Sequence, residues 1–304
     1  MTLKELEIFV CVSEQGSISA AARLLDITPA TASAALKRLE DELGARLFVR
    51  STRSLRLSQE GEGFLRYCYP ALDAIADGRA VIAGGGKTLC GLLRLSAPSD
   101  LGRNLLLPWL DEFQACYPGV RFRLQLSDSL ADIYRQPVDV ALRYGAPPDS
   151  SLVALPLAPE VRRVLCAAPA YLKRAGTPTA LDQLKEHNCL CYQLHESLHD
   201  HWRFYRNGQE AGVDVRGDRV CDDGDAVRRW AIAGYGIAYK SSLDIVRELS
   251  DGRLQLLCDD WLGEPTPLNM LCAHRESLTP LVRALREFLA QRCAEALSPL
   301  KSPG

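Results

Sequence analysis

Residues 16–57 read GSISAAARLLDITPATASAALKRLEDELGARLFVRSTRSLRL, and this stretch decides the fold of the N-terminal part of the chain. Apolar residues recur at helical spacing on both sides of a short polar break. Within that break, Asp26 tolerates the left-handed turn conformation, Thr28 is a suitable N-cap, and Pro29 suits the first position of a second helix. The pattern therefore predicts a helix-turn-helix.

The two predicted helices each have an inward and an outward face. In the first helix the inward residues are Ala21, Leu24 and Leu25. In the second helix the inward residues are Ala32, Leu36, Leu39 and Leu43. The outward side of the second helix carries Thr31, Ser33, Lys37 and Arg38, and we predict that these four residues face the major groove of DNA.

A basic segment follows the second helix. Between Leu43 and Ser58 the chain has no acidic residue and carries four arginines, Arg46, Arg50, Arg53 and Arg56. Apolar residues alternate on either side of a polar tip, which predicts two short strands that form a β-wing. We expect Arg50 and Arg53 to hold phosphate or enter the minor groove. A helical hairpin with a solvated basic face is the alternative that two amphipathic helices alone leave open.

Four consecutive motifs make this region specific: S-x-S-A-A-A-x-x-L, T-x-A-x-x-S, L-x-x-L-E-x-x-L-G-x-x-L-F-x-R and R-x-L-x-L-S-x-E-G. Their order resembles the N-terminal domain of LysR-type transcriptional regulators. The resemblance implies a winged helix-turn-helix DNA-binding domain over residues 1–58. The chain departs from many relatives at Pro29, Ala34 and Ala35, where they carry longer polar side chains. We therefore expect more reliance on phosphate contacts and DNA shape.

Composition places the chain among ordinary globular proteins of two or three domains. It has 304 residues, of which 47% are hydrophobic and 24% charged, and a formal net charge of -2. This charge excludes binding of polyanions by bulk electrostatics, so the basic character is local to the wing. The N-terminus lacks the apolar run of a signal peptide, and we expect a cytoplasmic protein without membrane contact.

A long helix is predicted after the wing, with Ser58 as its N-cap. Its apolar positions follow the spacing of a coiled-coil seam and are Leu65, Cys68, Leu72, Ile75, Arg79 and Ile82, with Arg79 as a departure from the ideal. We interpret residues 59–86 as a dimerisation helix that ends in the glycine hinge at 84–86. The alternative is a helix packed only on its own domain.

Residues 87–304 alternate between predicted strands and helices, which is typical of α/β units. Phrases such as VDVALRYG, RRVLCAAPAYL and AVRRWAIAGYGIAY resemble the effector domain of the same family. The resemblance implies a two-lobed, periplasmic-binding-protein-like fold, with lobe I at about 90–160 and 267–297 and lobe II at about 161–266. The whole chain is thus predicted to be an α+β multidomain protein.

Ligands of such folds bind between the lobes, near strand ends and helix N-termini. Ser99 lies between a strand and the next helix, and its hydroxyl and the nearby amides suit an anion. By family position the other effector-binding candidates are Ser127, Arg143, Tyr144, Asp222 and Lys240. Asp100 is a departure, because a carboxylate there repels an acid ligand unless Arg143 or Lys240 balances it, or else selects an amine.

The cysteines leave a redox alternative open. The chain has eleven cysteines, and none of them form a C-x-x-C pair. Most are expected to be small buried apolar residues. Cys189 and Cys191, with Cys221, form the candidate thiol switch.

The segment HESLH at 195–199 matches H-E-x-x-H, in which two histidines on a helix bind zinc and the glutamate acts as a base. It leaves two alternatives: a zinc hydrolase that uses His195, Glu196 and His199, and a metal sensor that uses His195, His199 and His201. We prefer a polar surface segment, because the room for a helix is short and no third ligand is identifiable.

These features predict a sequence-specific LysR-type regulator that binds promoter DNA with an interrupted dyad as a homodimer or homotetramer. A small-molecule effector between the lobes controls it, and RNA polymerase is an expected partner. We predict no enzyme activity, no cofactor and no metal site. A ligand-binding module without a DNA role is the remaining alternative of a different class.

Overall fold

A computed structural model of the chain describes residues 1–50, 55–83, 89–128, 138–145, 152–194, 197–273 and 277–301. The chain divides into two compact units, Met1–Gly91 and Leu92–Gly304. Among the described residues, no helix is long and apolar enough to cross a membrane.

The first unit is built from helices and one hairpin. Its elements are α1 (Leu3–Gln15), α2 (Ile18–Leu24), α3 (Pro29–Leu43), β1 (Phe48–Arg50), β2 (Leu55–Leu57) and α4 (Gln59–Ala83). The predicted turn is confirmed: Asp26 has a left-handed φ of 52°, and the Thr28 hydroxyl accepts a hydrogen bond from the backbone N–H of Thr31 at 3.1 Å. The predicted winged helix-turn-helix fold is therefore present.

Small residues make the contact between the helices of this unit. Ala21 and Ala22 are fully buried, whereas Leu24, predicted to face inward, is 64% exposed. Alanines at the crossing allow a close approach of the helices, which leaves no place for Leu24 in the core. Leu43 was also predicted to be inward but is exposed, because it is the last residue of α3 and the chain turns away at Gly44, whose φ is 64°.

Helix α4 packs its first half into the core of its own unit. Cys68 is buried in that core, and Leu65 and Leu72 are partly buried against it. These three seam positions therefore contact their own domain, while the exposed large apolar residues of α4 include Tyr67 and Ile75. The side chains of Arg79 and Ile82 and the hinge residues 84–86 lie outside the described residues.

The second unit contains two main sheets. The first sheet has the strand order β4 (Gly119–Leu126), β3 (Cys90–Ala97), β5 (Val140–Tyr144), β16 (Leu268–Cys272) and β6 (Val153–Ala158). The second has the order β12 (Val220–Cys221), β8 (Cys189–Leu194), β13 (Ile237–Ser241), β7 (Arg163–Ala167) and β14 (Gln255–Leu257), and β9 (Ser197–His199) pairs with β8. A smaller sheet contains β11 (Gln209–Asp214), β10 (His201–Arg206) and β15 (Leu262–Gly263).

Helices connect and cover these strands. They are α5 (Ser99–Leu101, π-helical Gly102–Leu106 and Leu107–Cys116), α6 (Pro169–Ala175), the 3-10 helix Leu181–Glu186, α7 (Gly224–Ile232), α8 (Val246–Ser250) and α9 (Pro280–Lys301). Gly102 allows α5 to approach β4 closely: a Cβ there would lie 2.4 Å from a methyl carbon of Leu126, whose side chain would have to shift. We refer to the elements on the first sheet as the first lobe and to those on the second sheet as the second lobe.

The chain returns to the first sheet near its end. Strand β16 runs antiparallel to both β5 and β6. Strands β6, β9, β10, β11, β12, β14 and β15 were not predicted. Several of them are short or alternate weakly, so their apolar pattern was not distinct from that of a loop.

Candidate DNA-reading surface and effector site

Helix α3 presents the predicted DNA-contacting residues on the side away from the core. Thr31, Lys37 and Arg38 are exposed, and Ser33 is half-buried. The opposite side of the helix is buried and consists of Ala32, Ala35, Leu36 and Leu39. The inward and outward faces of α3 are thus those of a groove-reading helix packed on a small core.

Two of these exposed side chains are held by neighbours. The hydroxyl groups of Thr31 and Thr28 lie 2.8 Å apart. Arg38 Nε donates to Glu5 Oε1 at 2.9 Å, and the same carboxylate accepts from the backbone N–H of Thr2 in the capping box of α1. The hydrogen bond from Arg38 lowers the pKa of Glu5. The arginine is therefore oriented before any DNA arrives.

The wing is anchored on the reading helix. Strands β1 and β2 pair antiparallel, and Glu40 of α3 accepts hydrogen bonds from the backbone N–H groups of Leu47 at 2.8 Å and Phe48 at 3.2 Å. The side chain of Arg50 and all of Arg53 lie outside the described residues, so their predicted DNA contacts stay predictions.

The Asp128 carboxylate joins the two lobes. From the first lobe it accepts hydrogen bonds from the backbone N–H and the hydroxyl of Ser99, both at 2.7 Å. From the second lobe it accepts one from the backbone N–H of Gly224 at 2.8 Å, and the Tyr192 hydroxyl also hydrogen-bonds to it. Burial and the charge of Asp128 raise the pKa of Tyr192, which keeps the phenol as a donor.

A buried ion pair lies next to this carboxylate. Lys240 Nζ is 2.5 Å from Asp100 Oδ2 and 2.9 Å from the carbonyl oxygen of Gly224. Tyr144 donates to Asp244 Oδ1 at 2.5 Å, and Asp244 Oδ2 is 4.0 Å from Lys240. Burial raises the pKa values of Asp100 and Asp244. Burial lowers the pKa of Lys240, but the two carboxylates outweigh it and the net shift is upward, so the lysine stays charged.

Arginines complete the network across the two lobes. Arg228 of α7 forms a buried ion pair with Glu248 and lies 3.7 Å from Asp100. Arg103 of α5 donates to Asp223 at 2.9 Å. Each buried carboxylate therefore has a nearby cation, which is the condition for burying charge without a large penalty. The balance for Asp100 predicted from the sequence is supplied here by Lys240 and Arg228.

The structure brings together four of the seven predicted effector residues: Ser99, Asp100, Tyr144 and Lys240. Arg143 is buried and donates to Ser96 Oγ and to the carbonyl oxygen of Leu142, both at 2.7 Å. The Ser127 amide donates to the carbonyl oxygen of Ala97 at 2.9 Å. Asp222 is exposed, and the neighbouring Asp223 takes part in the network instead.

Four carboxylates of the network were missed by sequence reasoning: Asp128, Asp223, Asp244 and Glu248. Asp223 accepts from the backbone N–H groups of Asp225 and Ala226 as the N-cap of α7, so an aspartate before a predicted helix was an available signal. No local signal identifies Asp128, because its partners are remote in the chain, and the hydrogen bond of Asp244 to Tyr144 spans 100 positions.

The thiols of the redox alternative are poorly suited to it. Cys189 and Cys191 are buried, and burial raises their pKa values to about 12 and about 11. Both thiols are therefore protonated near neutral pH, and a protonated thiol is a weak nucleophile. A thiol-sensing role is not favoured.

The H-E-x-x-H interpretation is wrong in its secondary structure. Ser197–His199 is strand β9, which pairs antiparallel with β8 and places His199 opposite Tyr192. His199 Nε2 lies 3.0 Å from Glu264, and His201 Nδ1 lies 2.6 Å from Asp214. His195 and Glu196 lie outside the described residues. Within the described part of the chain, no three histidine, cysteine or acidic residues are grouped as metal ligands.

Comparison with known proteins agrees with both units. Residues 3–62 match the model described as "Bacterial regulatory helix-turn-helix protein, lysR family", and residues 86–294 match the "LysR substrate binding domain". The chain belongs to the LysR family. As a LysR-type regulator it is a DNA-binding transcription factor with an effector-binding domain, it forms oligomers, and it is not an enzyme.

Relatives and solved structures of LysR-type regulators match along nearly the full length. The "Probable HTH-type transcriptional regulator LtrA" of Klebsiella pneumoniae is 33% identical and covers 95% of this chain and 94% of its own. The activator AaeR of Escherichia coli K12 is 30% identical over 96% of this chain and 94% of its own. Full-length AphB, a virulence activator of Vibrio cholerae, has 30% identity and a TM-score of 0.57 over 96% of this chain and 99% of its own. CrgA of Neisseria meningitidis has 28% identity and a TM-score of 0.60 over 97% and 99%.

Proposed function

We propose that this LysR-type regulator reads promoter DNA with the exposed face of α3 and is controlled by a small molecule bound between its two lobes. Thr31, Ser33, Lys37 and Arg38 are the proposed major-groove residues, with Arg50 and Arg53 on the wing. The observation that carries the DNA proposal is the separation of faces on α3, with Lys37 and Arg38 exposed opposite a fully apolar buried side. Exposed cations on a helix of this kind suit phosphates and base edges.

The proposed effector site is the buried polar network between the lobes. Its supporting observation is the convergence of Ser99, Asp100, Tyr144 and Lys240 from separate elements onto one region near the C-terminal ends of β3 and β5. Ligands of α/β folds bind at such strand ends. Arg143, Ser127 and Asp222 are proposed to line the same region from further out.

We further propose that the regulator acts as a homodimer or homotetramer on an interrupted dyad, and that it contacts RNA polymerase in the cytoplasm, where bacterial promoters lie. Two-fold symmetric sites require a symmetric protein. Helix α4, with the exposed residues Tyr67 and Ile75, is the proposed dimerisation element.

The DNA proposal is tested by capture of fragmented host DNA on the purified full chain, followed by sequencing at two salt concentrations. A specific regulator enriches a small number of intergenic sites with an interrupted dyad at both concentrations. Binding that is lost at the higher salt without enrichment of any site contradicts the proposal, because that behaviour is purely electrostatic.

Lys37→Ala tests the reading helix itself. If Lys37 contacts phosphate, the affinity of Lys37→Ala falls for all DNA sequences. The slope of log affinity against log salt concentration then becomes smaller by about 1. If it reads a base edge, discrimination at one position of the captured site is lost instead. Lys185→Ala removes an exposed lysine from the other unit and is the matched control, with unchanged affinity expected. Equal affinities for wild type and Lys37→Ala on all sequences would remove Lys37 from the interface.

A further inference from the structure

The carboxylate of Asp128 accepts hydrogen bonds from the donors between the lobes that could otherwise bind an anion. Four donors converge on it, two from each lobe: the amide and hydroxyl of Ser99 on one side, and the amide of Gly224 and the hydroxyl of Tyr192 on the other. Charge-assisted hydrogen bonds of this kind are roughly twice as strong as neutral ones. The same groups are those that a carboxylate of a ligand would use.

The position of Gly224 shows that this contact depends on close approach. A Cβ at Gly224 would lie 3.3 Å from Lys240 Nζ and 3.6 Å from Asp128 Oδ2. The start of α7 is therefore close to Lys240 and in van der Waals contact with the Asp128 carboxylate. A ligand anion cannot bind beside Asp128 in this cradle and has to take its place.

Asp128 is also able to leave. Unlike Asp100, which is buried, Asp128 is half-buried and lies two residues after the end of β4. Its side chain regains water when it releases the two lobes, so release does not strand a charge in the interior.

We propose that Asp128 is an intramolecular ligand of the cleft: it fastens the two lobes when no effector is present, and a carboxylate-bearing effector binds by displacing it. This inference rests on the proposed effector site between the lobes. It makes Asp128 a determinant of both affinity and selectivity. A competing internal carboxylate lowers the apparent affinity for every small acid, because the ligand binds only after the Asp128 contacts are broken and their free energy is lost. Only an acid with further contacts in the cleft binds well.

The test uses the full-length protein, acetate as the probe and thermal unfolding as the readout. Asp128→Ala removes the internal carboxylate, so the amides of Ser99 and Gly224 and the Tyr192 hydroxyl lose this acceptor, and we expect a melting temperature lower by at least about 3 °C. Acetate at constant ionic strength should recover at least half of this loss, since a ligand of the folded state stabilises it by mass action. Acetamide, which has the same shape without the charge, should not.

Asp111→Ala is the matched control, because it removes an exposed carboxylate from the same helix that carries Ser99. Wild type and Asp111→Ala should show no response to acetate beyond that to chloride. Equal stabilisation of all three proteins by acetate, or no response in Asp128→Ala, would overturn the proposal.

A second variant covers the case in which Asp128→Ala does not fold. Asp128→Asn keeps the shape and loses the charge, so hydrogen exchange at the amides of Ser99 and Gly224 should become several-fold faster than in wild type. Unchanged exchange at both amides would contradict the proposal. DNA affinity measured on the same preparations separates the proposed DNA function from the proposal for Asp128. If the wild-type protein shows no specific DNA binding, the proposed DNA function is contradicted, and the acetate result still tests Asp128.

Discussion

Arg38 is held by a residue that no local sequence pattern connects to it. Its guanidinium donates to Glu5, which is 33 positions earlier in the chain. The side chain is nevertheless 63% exposed, so the guanidinium retains donors that face solvent. Glu5 therefore positions Arg38, one of the cations proposed to contact DNA.

Glu5→Gln should weaken discrimination rather than the fold. Glutamine keeps the capping-box acceptor of α1 but loses the charge that holds Arg38, so we expect the preference for a specific site over random DNA to fall several-fold. Fluorescence anisotropy with both DNA types measures this ratio. Glu7→Gln makes the same charge change on the same helix, and an equal fall in that variant would show a general electrostatic effect instead.

The residues of α3 could be predicted because a helix with one buried face fixes which side chains point outward. The contacts of Asp128 could not. Asp128 meets Ser99 across 29 positions and Gly224 across 96, and only the approach of the two lobes makes them neighbours. Asp222 was predicted from family position, and the structure places it in solvent with Asp223 turned into the network.

At the scale of elements, the wing and α4 are joined by a contact that admits only glycine. A Cβ at Gly61 would lie 2.1 Å from the carbonyl oxygen of Leu47. Ser58 caps α4 at the same place, because its hydroxyl accepts from the Gly61 N–H at 2.9 Å. The predicted N-cap is thus confirmed, and it also fixes the base of the wing.

Gly61→Ala should destabilise the first unit by about 1–3 kcal/mol, because the backbone of Leu47 has to move. Urea denaturation measures the change. Gly63→Ala is the matched control on the same helix: its Cβ would have no atom within 4 Å, and it should stabilise by roughly 0.5–1 kcal/mol through helix propensity. Similar losses in both variants would rule out the clash as the cause.

The small sheet is attached to the second lobe by a charged group. Burial alone would raise the pKa of Glu264, but His199, Arg163 and Arg203 outweigh it and lower the pKa to about 2. A carboxyl group whose pKa is lowered in the folded protein stabilises the fold at any pH above its ordinary pKa. This stabilisation is lost as the pH falls towards the lowered pKa. The contribution is therefore complete above about pH 4.5 and disappears towards pH 2.

Glu264→Gln should flatten the acid side of the stability curve. Between pH 5 and 3 the wild-type protein loses on the order of 1–3 kcal/mol through this group, and the variant should lose correspondingly less. Unfolding free energies at a series of pH values provide the measurement. Glu186→Gln changes an exposed carboxylate of the same unit, and its curve should stay parallel to that of wild type.

Hydrophobic periodicity predicts alternating strands and helices in the α/β unit, but it does not predict the type of the segment after β8. Leu194, Leu198 and Trp202 share a helical spacing, yet Leu198 lies on β9 and Trp202 on β10. A stretch this short fits both the helical spacing and the alternation of a strand, and the pairing of β9 with β8 shows that it is a strand. The zinc-helix hypothesis depended on the period that the fold does not adopt.

The whole molecule consists of two separately packed units, and it should unfold in two steps. Calorimetry of the full chain is expected to show two transitions. Gly61→Ala should lower only the transition of Met1–Gly91, and Asp128→Ala only that of Leu92–Gly304. A single transition that both variants shift together would show that the units unfold as one.

The burial of Cys68 in the core of the first unit fixes the first half of helix α4 to that unit. The 25 residues of α4 span about 37 Å at about 1.5 Å per residue. Tilting such an arm by about 10° moves its end by about 6 Å, or nearly two base-pair steps of about 3.4 Å. If two chains pair through α4 as proposed, a modest change of angle between the two helices would move the two α3 helices into or out of register with the half-sites of a dyad, without any change in the shape of α3.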